Sequence, residues 1–128
     1  MLNSTGTTKQ DFGNSTQILA DVGNQSSIGC VVSAALGVTV GNQTIAKAGT
    51  PINMNLQSTQ TAAVLATGTV AMNGVLLHDV DVTNGNNNGT ALLFGFVNLN
   101  RIEADVQTKI TTAVGNASAT KLITFMKV

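Results

Sequence analysis

The sequence contains few residues of the kinds that form covalent cross-links or catalytic sites. Cys30 is the only cysteine, His78 the only histidine and Pro51 the only proline, while tryptophan and tyrosine are absent. A single cysteine excludes an intrachain disulfide and a zinc site made of several thiolates. Because Cys30 lies in an apolar run at 28–32, we expect it to be a buried, unreactive thiol.

Charged side chains are also scarce. Six Lys and Arg balance six Asp and Glu, and together they make up 9% of the 128 residues, against roughly 25% in typical soluble domains. A net charge of zero argues against nucleic-acid binding, which needs a basic surface facing the phosphates. No apolar stretch approaches the roughly 20 residues that span a bilayer, and no signal segment opens the chain, so we expect cytoplasmic synthesis and no membrane partner.

The first 27 residues are polar and rich in Ser, Thr, Asn, Gln and Gly. Such a segment buries too little apolar surface to offset the entropy lost on ordering. We therefore predict an extended N-terminal arm at 1–27 and a single β-rich domain at 28–128. The arm would contact a partner through its apolar residues, which are Phe12, Ile18, Leu19 and Val22.

Short β-type runs alternate with turn signals after residue 28. Gly41-Asn42 predicts a turn between strands at 37–40 and 44–47. Alternation of apolar residues with Asn at 52–56 predicts a half-buried strand, whereas 58–66 fits either a strand or one helical turn. The clearest unit is a β-hairpin with strands at 74–82 and 90–97 and an Asn- and Gly-rich loop at 83–89.

One helix is predicted at about 101–114, followed by a closing strand at 120–128. Asn100 and Glu103 have the spacing of a capping box, Asp105 and Lys109 that of an i,i+4 ion pair, and Gly115 ends the helix. The stripe expected to face the core recurs every four residues and comprises Ile102, Val106, Ile110 and Val114. The predicted fold class is mainly β with one helix, that is, α+β.

The His78-Asp79-Val80-Asp81 run is the only candidate for chemistry. On a strand, His78 would face one side of the sheet and the two aspartates the other. A calcium site with Asn84 and Gly85 misses the spacing of a calcium loop by one residue. Because no base lies beside a nucleophile, the sequence predicts no catalytic residue, no cofactor and no metal, and we expect that the protein is not an enzyme.

Three segments resemble the decoration proteins of bacteriophage heads, of the type known from lambda. They are KAGTPI at 47–52, AMNGVLLHDVDV at 71–82 and TALLFGFV at 90–97. Their order, followed by a helical region and a closing strand, is similar to that family over roughly residues 45–128, and looks closest to small structural proteins of phages that infect Gram-positive bacteria. The resemblance implies a compact, β-sandwich- or barrel-like decoration-protein fold with an extended N-terminal arm.

The resemblance also implies a function and a partner. Members of the family bind the outer surface of the expanded capsid, often as trimers at three-fold sites, with the arm joining strands of the major capsid protein. We therefore expect a homo-oligomeric virion protein on the capsid exterior that cements the phage head. The alternative is a β-rich module of a tail tube, tail fibre or host-binding appendage that would use the 84–89 loop.

Overall fold

The computed structural model describes residues 17–21, 23–58 and 60–128. Within these ranges the chain forms nine strands and one α-helix, which confirms the predicted mainly-β class. In chain order the elements are β1 Ser26–Val32, β2 Val38–Val40, β3 Gln43–Ala46, β4 Pro51–Asn53, β5 Val64–Leu65, β6 Gly74–Leu76, β7 Val80–Asp81, β8 Asn87–Asn98, α1 Ala104–Val114 and β9 Ile123–Met126. Single turns of 3-10 helix lie at Ala34–Leu36 and Leu99–Arg101.

The strands form two sheets. The large sheet has the order β1-β8-β6-β4-β5, and β9 also pairs with β8. The small sheet has the order β2-β3-β7. All strand pairs are antiparallel except β8 with β9, which run parallel.

The large sheet is covered on both faces. On β6, Val75 belongs to the apolar cluster that includes α1, whereas Leu76 belongs to the cluster shared with the small sheet. Both side chains are fully buried because successive residues of a strand point to opposite faces. A continuous apolar run such as 74–77 is typical of a strand buried on two sides, so the molecule has three layers: helix, large sheet and small sheet.

The predicted strand at 74–82 is wrong as a single strand. β6 pairs antiparallel with β8 as expected, and the Leu77 N–H donates to the Thr90 carbonyl at 2.9 Å. The chain then leaves the large sheet: Asp79 accepts a hydrogen bond from the Ala48 N–H at 2.8 Å, and Val80 pairs with Ala46 in the small sheet. One continuous β-type run thus supplies strands to two sheets, and the bend lies between them.

The predicted loop at 83–89 is too long. β8 begins at Asn87, since Asn87, Asn88 and Gly89 pair with Val32, Val31 and Cys30 of β1. The local composition at 87–89 favours a turn, but pairing with β1, which is distant in sequence, holds these residues in an extended conformation. Cys30 is buried, as predicted, and burial raises the pKa of its thiol above the usual value.

The helix begins later than predicted. α1 starts at Ala104, and its N-cap residue Glu103 makes no capping hydrogen bond with its side chain. The Asn98 side chain, not that of Asn100, caps the preceding 3-10 turn by accepting from the Asn100 N–H at 3.0 Å. In the predicted stripe, Ile102, Val106 and Ile110 are buried, whereas Val114 at the C-terminal end is 45% exposed.

Lys47 connects the helix to the turn before β4. Its ammonium donates to Glu103 at 2.7 Å and lies 3.7 Å from Asp105. The Glu103 carboxylate raises the pKa of Lys47 above the usual value. Asp105 therefore pairs with a residue distant in the chain instead of the predicted Lys109.

Two glycines on adjacent strands give a matched test of the layer between the sheets. A Cβ at Gly89 would lie 2.7 Å from Val32 Cγ2 and 2.9 Å from Val80 Cγ2, whereas a Cβ at Gly29 meets nothing within 4 Å. Gly89→Ala should therefore lower the free energy of unfolding by about 1–3 kcal/mol through overpacking. Gly29→Ala should change it by less than about 0.5 kcal/mol, and equal effects in urea denaturation would contradict the layered core.

Candidate interaction surface

The structure separates the side chains of the His78-Asp79-Val80-Asp81 run. His78 is exposed, while Asp79 accepts from the Ala48 N–H. Asp81 accepts from the Thr83 N–H at 2.9 Å and from the Gln43 side chain at 3.2 Å. Hydrogen bonds from Thr83 lower the pKa of Asp81, which favours its role as a charged acceptor in the turn. In the described ranges, no three His, Cys, Asp or Glu side chains are placed to hold a metal ion.

The Asn-rich loop uses its polar groups internally. The Asn86 side chain accepts from the Ala34 N–H at 2.9 Å, and the Asn87 side chain donates to the Asp81 carbonyl at 3.0 Å. A shallow cavity of about 300 Å³ lies here, lined by Asp81, Asn84, Gly85, Asn86 and Asn87. Because two of its amides hold the backbone in place, the loop is foremost a structural connection.

The apolar residues predicted to contact a capsid divide into two groups. Phe12 and Val22 lie outside the described residues. Ile18 and Leu19 are 1% and 4% exposed and belong to the cluster under α1. Their backbone also joins the large sheet, because the Ala20 N–H donates to the Phe96 carbonyl and the Asn98 N–H to the Ile18 carbonyl, both at 2.8 Å.

Ile18 and Leu19 are therefore core residues of the domain, and their predicted role as arm residues that contact a partner is wrong. The boundary predicted at residue 27 does not separate an arm from a domain, since β1 begins at Ser26 and residues 18–20 already pair with β8. The physical reason is that the end of β8 has backbone groups that need hydrogen-bond partners and an apolar face that needs to be covered. The backbone at residues 18–20 provides the hydrogen bonds, and the side chains of Ile18 and Leu19 cover the apolar face.

The main exposed apolar surface lies on the C-terminal half of β8. Phe94 is 42% exposed, and its ring packs edge-on against Phe96 with centroids 6.3 Å apart. Val97 points into the core under α1, so the neighbouring Phe96 faces the opposite side of the sheet. Leu122, which directly precedes β9 and whose carbonyl accepts from the Gly95 N–H at 3.2 Å, is 58% exposed.

A concavity continues this surface toward the chain end. It measures about 410 Å³ and is lined by Ala20, Asp21, Phe96, Met126 and Val128. Asp21 is the charged side chain in this lining, and its carboxylate accepts from the Asn24 side chain at 2.7 Å, which lowers its pKa. We call Phe94, Phe96, Leu122 and this concavity the open face.

A β-bulge explains why the two rings point outward. Ser27 pairs with Leu92 and Ser26 with Phe94, so Leu93 has no partner on β1. An extra residue in one strand shifts the alternation of side chains by one. Leu93 packs toward the small sheet, whereas Leu92 is buried toward α1. A Cβ built on Gly95 would contact Leu92, so its neighbour Phe94 faces the opposite side of the sheet.

Sequence reasoning missed the open face for this reason. The run at 91–97 is almost entirely apolar, and strict alternation from Leu92 would have put Phe94 and Phe96 in the core with it. The bulge depends on pairing with β1, which local composition does not reveal. The one available signal is that two of the four aromatic residues stand two positions apart on one strand.

The comparisons with known proteins add no relative: no family model matches the chain, and no match is found among curated proteins. The described residues contain no helix that is both long and apolar enough to cross a membrane. What the described residues do present is an aromatic face on a hydrogen-bonded sheet. Such a face can exclude water against another protein.

The reassignment of Ile18 is directly testable. Ile18→Ala should lower the free energy of unfolding by about 2–5 kcal/mol, because the side chain is buried in the core. The exposed Leu56, mutated to Ala, is the matched control and should change it by less than about 0.5 kcal/mol. Unchanged stability of Ile18→Ala in chemical denaturation would restore its assignment to an arm outside the domain.

Proposed function

We propose that the chain is a structural virion protein that binds the outer surface of a phage capsid and stabilises the head. The observation that carries this proposal is the open face, where β8 presents Phe94 and Phe96, and Leu122 lies directly before β9. The resemblance of the 47–52, 71–82 and 90–97 segments to head decoration proteins supports the choice of partner. The proposed partner is the major capsid protein.

The chemistry of the open face suits a protein partner. Aromatic side chains bring a large apolar area to an interface and lose little conformational entropy when bound. The centres of protein interfaces are depleted in charge, and Asp21 is the charged side chain in the concavity beside Phe96. Contact through this face would bury the rings beside one carboxylate, which already accepts a hydrogen bond from the Asn24 side chain.

Stabilisation of the head would follow from binding alone. A protein that binds the expanded shell but not its dissociated subunits shifts the equilibrium toward the assembled shell. No catalytic group is required for this effect. Ile18 and Leu19 are part of the core, so the capsid contacts that remain predicted for the N-terminal segment are those of Phe12 and Val22.

The alternative role in a tail or host-binding appendage would use the 84–89 loop. Asn86 and Asn87 already bond to Ala34 and Asp81, so fewer amides are available to recognise a sugar. On the open face, by contrast, Phe94 and Leu122 are left exposed. The capsid role is accordingly the one proposed.

The number of copies per particle distinguishes the two roles. Quantitative mass spectrometry of purified virions should give a ratio of this chain to the major capsid protein that corresponds to a few hundred copies. A handful of copies would favour an appendage. Absence from the particle would contradict both roles.

Surface variants test the face itself. The Phe94→Ser, Leu122→Ser double variant should reduce occupancy on expanded capsids that lack the chain by roughly tenfold or more at limiting concentration. Leu56→Ser, a change at a residue with similar exposure outside the open face, is the matched control and should bind like the parent. Full occupancy by the double variant would contradict the proposed binding face.

A further inference from the structure

The outer edge of β1, on the side away from β8, is a second surface of the large sheet that could bind a partner. The Val31 carbonyl points away from β8, because it accepts from the Ala63 N–H at 2.8 Å. Backbone groups alternate in direction along a strand, so those of Ser27 and Gly29 point outward as well. The Thr90 carbonyl, opposite Gly29, accordingly faces β6 and accepts from the Leu77 N–H.

This edge is open over the first half of the strand. Ala63 covers it at Val31, but within the described residues no backbone group bonds to the outward N–H and C=O of Ser27 and Gly29. Ser26, Ser27 and Gly29 are exposed. Solvent therefore reaches this half of the strand.

The edge also lacks two of the features that usually prevent strand addition. Natural edge strands are protected by charged residues, prolines or bulges that turn the edge away. Residues 23–33 contain neither a charged residue nor a proline. The side chains that flank the edge are small and polar, apart from Ile28.

We propose that β1 of one copy pairs antiparallel with β1 of a second copy. Ser27 would exchange hydrogen bonds with Gly29 of the second copy, and Gly29 with Ser27 of that copy, giving about four hydrogen bonds around a two-fold axis at Ile28. The register is self-complementary, since the same two outward residues serve both chains. Two uncharged edges also meet without repulsion between like charges.

The geometry of this pairing has a consequence for the open face. A two-fold axis between antiparallel edge strands stands perpendicular to the sheet, so each face of one copy continues into the same face of the other. Phe94 and Phe96 of both copies would then lie on one side of a continuous sheet. The pairing itself does not rest on the proposed capsid role, and its test uses the isolated protein.

Amide hydrogen exchange measured by NMR tests the pairing residue by residue. The interface is smaller than stable dimers require, so association should appear as the concentration rises from about 20 µM to about 1 mM. The Ser27 and Gly29 amides should exchange rapidly at the low end and become protected at the high end. The Ile28 and Cys30 amides, which face β8, should be protected throughout.

Two results would overturn the proposal. Ser27 and Gly29 amides that exchange rapidly at every concentration would mean that no strand is added. Protection that is already complete at the lowest concentration would mean that this chain covers its own edge. A deletion of residues 1–16 would then identify the covering segment if protection disappears.

A proline substitution provides the second test. Ser27→Pro removes an N–H that points away from β8, so the intramolecular ladder keeps its hydrogen bonds. In sedimentation velocity at about 1 mM the parent should approach the mass of two chains, while Ser27→Pro should remain at one. Ser27→Ala retains the N–H and is the matched control that should associate like the parent. Equal association of the proline variant, or a mass of three chains for the parent, would contradict the pairing.

Discussion

The structure depends on the hydrogen-bonding demands of a single long strand. β8 has twelve residues, and every backbone group on its two edges needs a partner where it is buried. β1 and β6 provide those partners along its first half, whereas β9 and residues 18–20 provide them along the second half. The N-terminal segment, the middle of the chain and its C-terminal strand are thus all brought together on one strand.

The two halves of β8 differ in how their faces are covered. Ala91 and Leu92 are fully buried because the small sheet covers one face and α1 the other. Beyond the bulge at Leu93, α1 still covers Val97, but Phe94 on the opposite face remains exposed. The bulge that shifts the alternation of side chains along β8 therefore also determines which face of the strand is available to a partner.

Much of the local structure could be predicted from the sequence, because it depends on short-range signals. The turn at Gly41 has a positive φ of 63° between β2 and β3, and the stripe of α1 is buried through Ile110. The division of the 74–82 run between two sheets could not be predicted, since both sheets accept apolar residues. The bend is held by contacts between distant residues, since Asp79 accepts from the Ala48 N–H and Val80 pairs with Ala46.

The candidate surface was less accessible to prediction than the fold. Ile18 and Leu19 looked like isolated apolar residues in a polar segment, and only the unpaired edge of β8 explains their burial. Strict alternation from Leu92 would have buried Phe94 and Phe96, and only the missing partner of Leu93 explains why Phe94 is exposed and Phe96 half-buried on the other face. In both cases the deciding interaction joins residues more than sixty positions apart.

The scarcity of charged residues bears on how readily this surface associates with other proteins. A surface with few charges is poorly protected against association. In the part of the chain that the structure describes, this surface carries an aromatic face and a strand edge whose Ser27 and Gly29 have no backbone partner on the outer side. The central claim is that the open face is where a capsid is bound. A cryo-EM reconstruction of expanded capsids carrying the chain tests this claim most directly. We expect Phe94, Phe96 and Leu122 to contact the major capsid protein. A map in which this face is exposed to solvent while another surface contacts the shell would contradict the claim.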